Sequence, residues 1–187
     1  HRFGSPILQA LGNVGILLEM LRHADRIKIA CMTGGLGVAS TVNAETVYKT
    51  PGHYAYRDLL TYGQGISLTP VVECEKYDVD SFAIDDNHKS PEQRAVDLID
   101  TAAAYNEEKG ELTVFVINRD WEDNADFTLN ITDLDGYHFE SHYEMFSEDP
   151  DDGSIVPVKN EDTTAEGTVV KAELKKTSWN VFRFVKD

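Results

Sequence analysis

Two cysteines in 187 residues are too few for a disulfide scaffold, and neither they nor the six histidines stand at metal-ligand spacing. No metal and no cofactor is expected. Cys31 closes an apolar run and Cys74 sits in a strand-like segment, so both read as reduced core residues, which favours a cytoplasmic setting. No apolar stretch approaches the roughly 20 residues of a membrane span, so no membrane partner is expected. Basic residues are scarce, 17 Lys and Arg against 33 Asp and Glu, for a net charge of −16. Phosphate binding needs a basic footprint, and that balance argues against a nucleic-acid partner. The start, His1 to Pro6, has neither an initiator Met nor the basic-then-apolar layout of a signal peptide. It reads as a junction inside a longer sequence.

What is present divides in two. Residues 1–70 hold six Lys and Arg against four Asp and Glu, a net of +2, whereas residues 71–187 hold eleven against twenty-nine, a net of −18. The break suggests two structural units, 1–64 and 65–187. An apolar fraction of 41% is ordinary for a globular domain with a sizeable core.

In the first unit, Ser5-Pro6 is a helix start, an N-cap followed by Pro at the first helical position. Residues 7–23 then read as a helix whose apolar positions cover so broad a face that it needs burial on more than one side. Ile27 to Met32 reads as a nearly continuous apolar strand, of the kind buried on both faces of a parallel sheet. A Gly-rich loop follows, Thr33 to Gly37, and Thr50-Pro51 starts a second helix that runs to Gly63. Helix, strand, loop, helix is the grammar of an α/β barrel, and one repeat of it cannot pair a lone parallel strand.

From Gly65 the pattern is of strands: Ile66 to Glu75, Val96 to Tyr105, Glu111 to Asn118, Phe127 to Ile131, His138 to Phe146, Ser154 to Val158, Thr168 to Leu174 and Trp179 to Val185. The turn Asn106 to Gly110 reads as a hairpin, and Asp85 to Glu92 as an acidic linker. Short strands without helices between them indicate an antiparallel sandwich. The fold expected is mainly β, a jelly-roll-type antiparallel β-sandwich preceded by the last helix-strand-helix of a (β/α)8 barrel.

Four segments resemble one family, in the same order. Leu21-Arg-His-Ala-Asp-Arg-Ile-Lys-Ile-Ala30 is similar to the approach to the last barrel strand of glycoside hydrolase family 51 α-L-arabinofuranosidases. Thr50-Pro51 with Tyr54 and Tyr56 resembles the start of their final barrel helix. Leu112 to Arg119 resembles a strand of their C-terminal sandwich, and Leu174 to Phe184 the terminal one. The resemblance implies a bacterial, homo-oligomeric parent that releases arabinofuranosyl groups from arabinose-containing oligo- or polysaccharides with retention. That chemistry needs an acid/base and a nucleophile carboxyl roughly 5 Å apart. In the family both glutamates end earlier barrel strands, so none of this chain's residues is expected to be catalytic and the chain alone is expected to be inactive.

Barrel active sites form at the C-terminal ends of strands. The loop after the expected strand is therefore the one candidate for substrate contact, at Met32, Thr33 and Gly34. Gly34 and Gly37 stand where family members tend to carry amides, and a need for positive φ explains them equally well. Asn106-Glu107 and Asn160-Glu161 imitate the family's acid/base dipeptide but read as turn and loop. His23 and Asp25 read as fixing a turn, Trp179 as core, and Trp121 as a partly buried loop residue. The acidic run Ser147 to Gly153 lacks calcium-loop spacing and reads as solvated, while Asn130-Ile-Thr132 matches a glycosylation pattern that arises often by chance. The competing reading is a free-standing carbohydrate-binding or interaction module of jelly-roll type, motivated by the run of strands and the two tryptophans.

Overall fold

The computed structural model describes residues 5–31, 39–43 (backbone only), 45–132 and 134–186. Helix α1 spans Pro6–Arg22. Pro6 supplies its first turn, but the Ser5 hydroxyl makes no cap bond to the helix and donates instead to the Pro150 carbonyl, tying the helix start to a distant loop. Ile7, Ala10, Leu11, Val14 and Leu18 recur at helical spacing and form the buried stripe. Strands β1 (Ala39–Asn43) and β2 (Thr46–Lys49) make a hairpin, and helix α2 (Pro51–Tyr62) follows and packs on α1. Gly65, at φ 110°, turns the chain into β3 (Ile66–Leu68); a Cβ there would stand 2.2 Å from the Tyr105 carbonyl oxygen, so only glycine fits.

The remaining strands are β4 (Lys76–Val79), β5 (Gln93–Asp97), β6 (Ile99–Asn106), β7 (Glu111–Asn118), β8 (Ala125–Asn130), β9 (Tyr137–Met145), β10 (Val158–Lys159), β11 (Thr164–Glu166), β12 (Val169–Leu174) and β13 (Ser178–Lys186). All their pairings are antiparallel. One sheet has the order β10-β9-β13-β7-β6-β3, a second β11-β12-β8, and β4-β5 forms a hairpin of its own. The chain crosses from β7 to β8 in the small sheet, returns at β9, crosses again for β11 and β12, and returns at β13. This is the expected mainly-β antiparallel sandwich.

The six-stranded sheet is buried on both faces, because α1 and α2 lie on one and the small sheet on the other. In β13, Trp179 and Val181 face the helices with Phe115, Ile117 and Ala102, whereas Phe182 and Phe184 face the small sheet with Val114, Val170 and Leu174. That double burial explains why β7 reads as an almost unbroken apolar run, although its neighbours are antiparallel.

Several expectations do not hold. Residues 27–31 are no strand: they leave a turn without regular structure, and Ile29 is 82% exposed. No strand among the described residues lies beside them to pair with. Cys31 is consequently exposed rather than core, and both cysteines are free thiols. The strand expected over Ile66 to Glu75 stops at Leu68, two residues before Pro70, which has no N–H to give a ladder. The strand expected over Ser154 to Val158 shrinks to Val158–Lys159 for the same reason at Pro157. The acidic linker lies inside an excursion that β4 and β5 close as a hairpin, with an Ala83–Lys89 bridge.

Candidate functional site

Met32, Thr33 and Gly34, the expected substrate-contacting loop, lie outside the described residues. Among the described residues, three buried polar constellations join the elements of the fold.

The first is Asp100 on β6. Its carboxylate accepts from Arg22 Nη1 at 2.7 Å and from Arg119 Nη2 at 2.5 Å, and Arg22 also donates to the Thr101 carbonyl at 2.6 Å. The end of α1 and the end of β7 are thus clamped to one buried charge. The second is Asp58 on α2, which accepts from Trp179 Nε1 at 3.2 Å and from its neighbour Arg57 at 2.5 Å. Burial pushes its pKa up, opposed by the Arg57 and Trp179 bonds. The third lies between the two sheets. His142 on β9 donates from Nε2 to Asn180 Oδ1 (2.9 Å), because the Asn180 amide nitrogen is engaged with Ser178 Oγ; His142 Nδ1 then accepts from Thr163 Oγ1 (2.7 Å). The ring stacks on Phe182 with centroids 4.0 Å apart. Burial lowers its pKa to about 4, so it is neutral in the native state.

None of these was singled out in the sequence. Asp58 and Asp100 each interrupt an apolar stretch, which was the available signal. The residues that were singled out are dispersed. Asn106 Oδ1 accepts from Lys109 N in the β6–β7 hairpin turn. Asn160 Oδ1 accepts from Asp162 N, and Glu161 pairs with Lys159 at 3.0 Å. His23 caps α1 and contacts Glu19 and Arg26. In the 147–153 run, Asp149 and Asp152 accept from backbone N–H groups of their own turns, and the Ser154 bonds hold the Asp152 pKa low. Asn130 Oδ1 accepts from Thr132 N in a turn of its own. Among the described residues no group of three or more His, Cys, Asp or Glu side chains could hold a metal ion. Trp179 is fully buried, stacked on Phe115 at 5.6 Å. Trp121 is more open than expected, at 57% exposure, and lines a cleft of about 480 Å³ beside α1.

The structure is thus a sandwich roofed by two helices, with the buried carboxylates of Asp58 and Asp100 joining helix to sheet. The family model of the α-L-arabinofuranosidase C-terminal domain matches residues 6–178. The chain belongs to that family. The chain is 29% identical to the intracellular exo-α-(1→5)-L-arabinofuranosidase 1 of Bacillus subtilis, over 97% of this chain and 37% of the relative. It is 28% identical to the intracellular exo-α-(1→5)-L-arabinofuranosidase of Halalkalibacterium halodurans, over 91% and 34%. A family 51 α-L-arabinofuranosidase from Bifidobacterium longum superposes with a TM-score of 0.74 at 15% identity, covering 94% of this chain and 34% of that one. The domain therefore spans little more than a third of the length of the curated relatives it matches. The fold of the Bifidobacterium longum protein's matching part is shared over 94% of this chain.

Proposed function

We propose that the chain is the C-terminal part of a retaining exo-α-L-arabinofuranosidase that removes terminal arabinofuranosyl residues from arabinan- or arabinoxylan-type saccharides. The observation that carries this is the family match across residues 6–178, which includes both helices as well as the sandwich. Relatives named as exo-α-(1→5)-L-arabinofuranosidases support the substrate class, and their description as intracellular supports a cytoplasmic setting. No described helix is long and apolar enough to cross a membrane.

On this reading residues 1–64 end a (β/α)8 barrel and 65–187 form the sandwich. The 27–31 segment becomes the last parallel strand once neighbouring strands stand beside it, and Met32, Thr33 and Gly34 reach the rim of the active site. Catalysis belongs to two carboxyl groups elsewhere in the longer polypeptide. Assay on an aryl α-L-arabinofuranoside tests this: the longer polypeptide turns the substrate over and the 187-residue chain does not. A longer polypeptide inert on every arabinofuranoside contradicts the proposal.

A further inference from the structure

The cleft beside α1 borders the Asp100 clamp, whose Arg22 and Arg119 help to line it. Leu8, Gly12, Gly15 and Ile16 of α1 form one wall, Ile117 the floor, and Tyr77, Arg119, Trp121 and Thr177 the other side. Its volume falls within the roughly 300–1,000 Å³ typical of small-molecule sites.

Trp121 is presented rather than left loose. The 119–123 loop is pinned at five points. Arg119 N donates to the Leu98 carbonyl (2.9 Å) and Asp120 N to Asn118 Oδ1 (3.0 Å). Glu122 N donates to Asp120 Oδ1 (2.9 Å), while Thr177 donates to the Asp120 carbonyl from both N (2.8 Å) and Oγ1 (2.9 Å). Thr177 makes those bonds at φ 51°, a left-handed conformation that costs a β-branched residue about 1–2 kcal/mol. A loop so fixed, holding an indole more than half in solvent, is a preorganised stacking surface.

The polar groups beside it suit hydroxyls. Arg119 uses two of its five N–H donors, on Asp100 and on the Asp97 carbonyl. Glu19 and Arg22 line the same wall but are committed to each other, and Arg22 also to Asp100 and the Thr101 carbonyl, so Arg119 is the donor left for a ligand. The opposite wall is kept open by glycine without a backbone need: Gly12 has helical φ, and a Cβ there would meet nothing within 4 Å. Glycine in a helix interior costs up to about 1 kcal/mol relative to alanine, so the open space is maintained against helix propensity.

We propose that this cleft binds a neutral pentosyl oligosaccharide, one ring stacked on Trp121 and its hydroxyls accepting from the remaining N–H groups of Arg119. The choice of a pentosyl ligand rests on the function proposed above; the cleft itself does not. Titrating the 187-residue chain with α-1,5-arabinotriose and, separately, with xylotriose tests it. Tryptophan fluorescence serves as the readout, because Trp179 is sealed in the core and a ligand-induced change reports Trp121.

Saturable binding of at least one of the two sugars is expected, the two arms telling an arabinan from a xylan ligand. Binding should weaken at least tenfold in Trp121→Ala and in Gly12→Leu, both with unchanged melting temperature; calorimetry reads the Trp121→Ala case. No saturable signal from either sugar, or wild-type affinity in both variants, overturns the proposal. Aryl-arabinofuranoside turnover by the longer polypeptide is followed in parallel and should be unchanged by Trp121→Ala. Activity without binding overturns the cleft alone, and binding without activity overturns the proposed function alone.

Discussion

Asp58 and His142 show how single polar side chains are kept inside this domain. Removing Asp58 leaves the indole N–H of Trp179 buried without an acceptor, which costs about 1–3 kcal/mol. Asp58→Ala is expected to lower urea-unfolding stability by that amount, whereas Asp58→Asn, which still accepts from the indole, should lose less. His142 gives a pH dependence of definite sign. Its folded pKa of about 4 lies below the unfolded value, so its contribution is complete above about pH 6.5 and is lost as the pH falls toward 4. The loss amounts to about 3 kcal/mol by that linkage. Asp58 and Glu144, both raised by burial, act in the opposite sense and favour the fold as carboxylates protonate. His142→Gln should therefore flatten the fall in stability between pH 6.5 and 4.5; an unchanged slope would show that the imidazole is not what drives it.

Among the elements, α1 belongs to the sandwich energetically, whatever lies on its other side. Leu18 is completely buried against the sheet-facing cluster, and Leu18→Ala should cost about 2–5 kcal/mol. The loss should appear in one cooperative transition, with near-UV and far-UV dichroism falling together; separate transitions would mean that helix and sheet fold independently. Elements that carry their own signal were legible in the sequence. Ser5-Pro6 and Thr50-Pro51 marked both helix starts, and the apolar alternation of β8 and the runs of β7 and β13 marked their strands. Legibility failed where pairing depends on distant neighbours. Ile27 to Met32 has a strand's composition, but 27–31 has no partner among the described residues. The β4–β5 pairing joins short, mostly exposed segments and β11 is three exposed residues, with no apolar period to betray them. The substrate-facing loop was inferred from resemblance, and the buried clamps were missed because a lone Asp in an apolar run does not name its partner.

For the molecule as a whole, α2 presents Leu60 to solvent on a face the sheet does not cover, and Ile29 and Val47 stand open nearby in sequence. Exposed apolar surface of this kind favours association. Sedimentation of the 187-residue chain should show concentration-dependent self-association, and a strictly monomeric chain would mean that these side chains form no sticky surface. The wider account makes the same surfaces the seat of a catalytic barrel. Its most direct test is the release of free arabinose from α-1,5-arabino-oligosaccharides by the longer polypeptide, followed by proton NMR. The account predicts arabinose removed one residue at a time and first appearing as the α anomer. No arabinose, or first appearance of the β anomer, would contradict it.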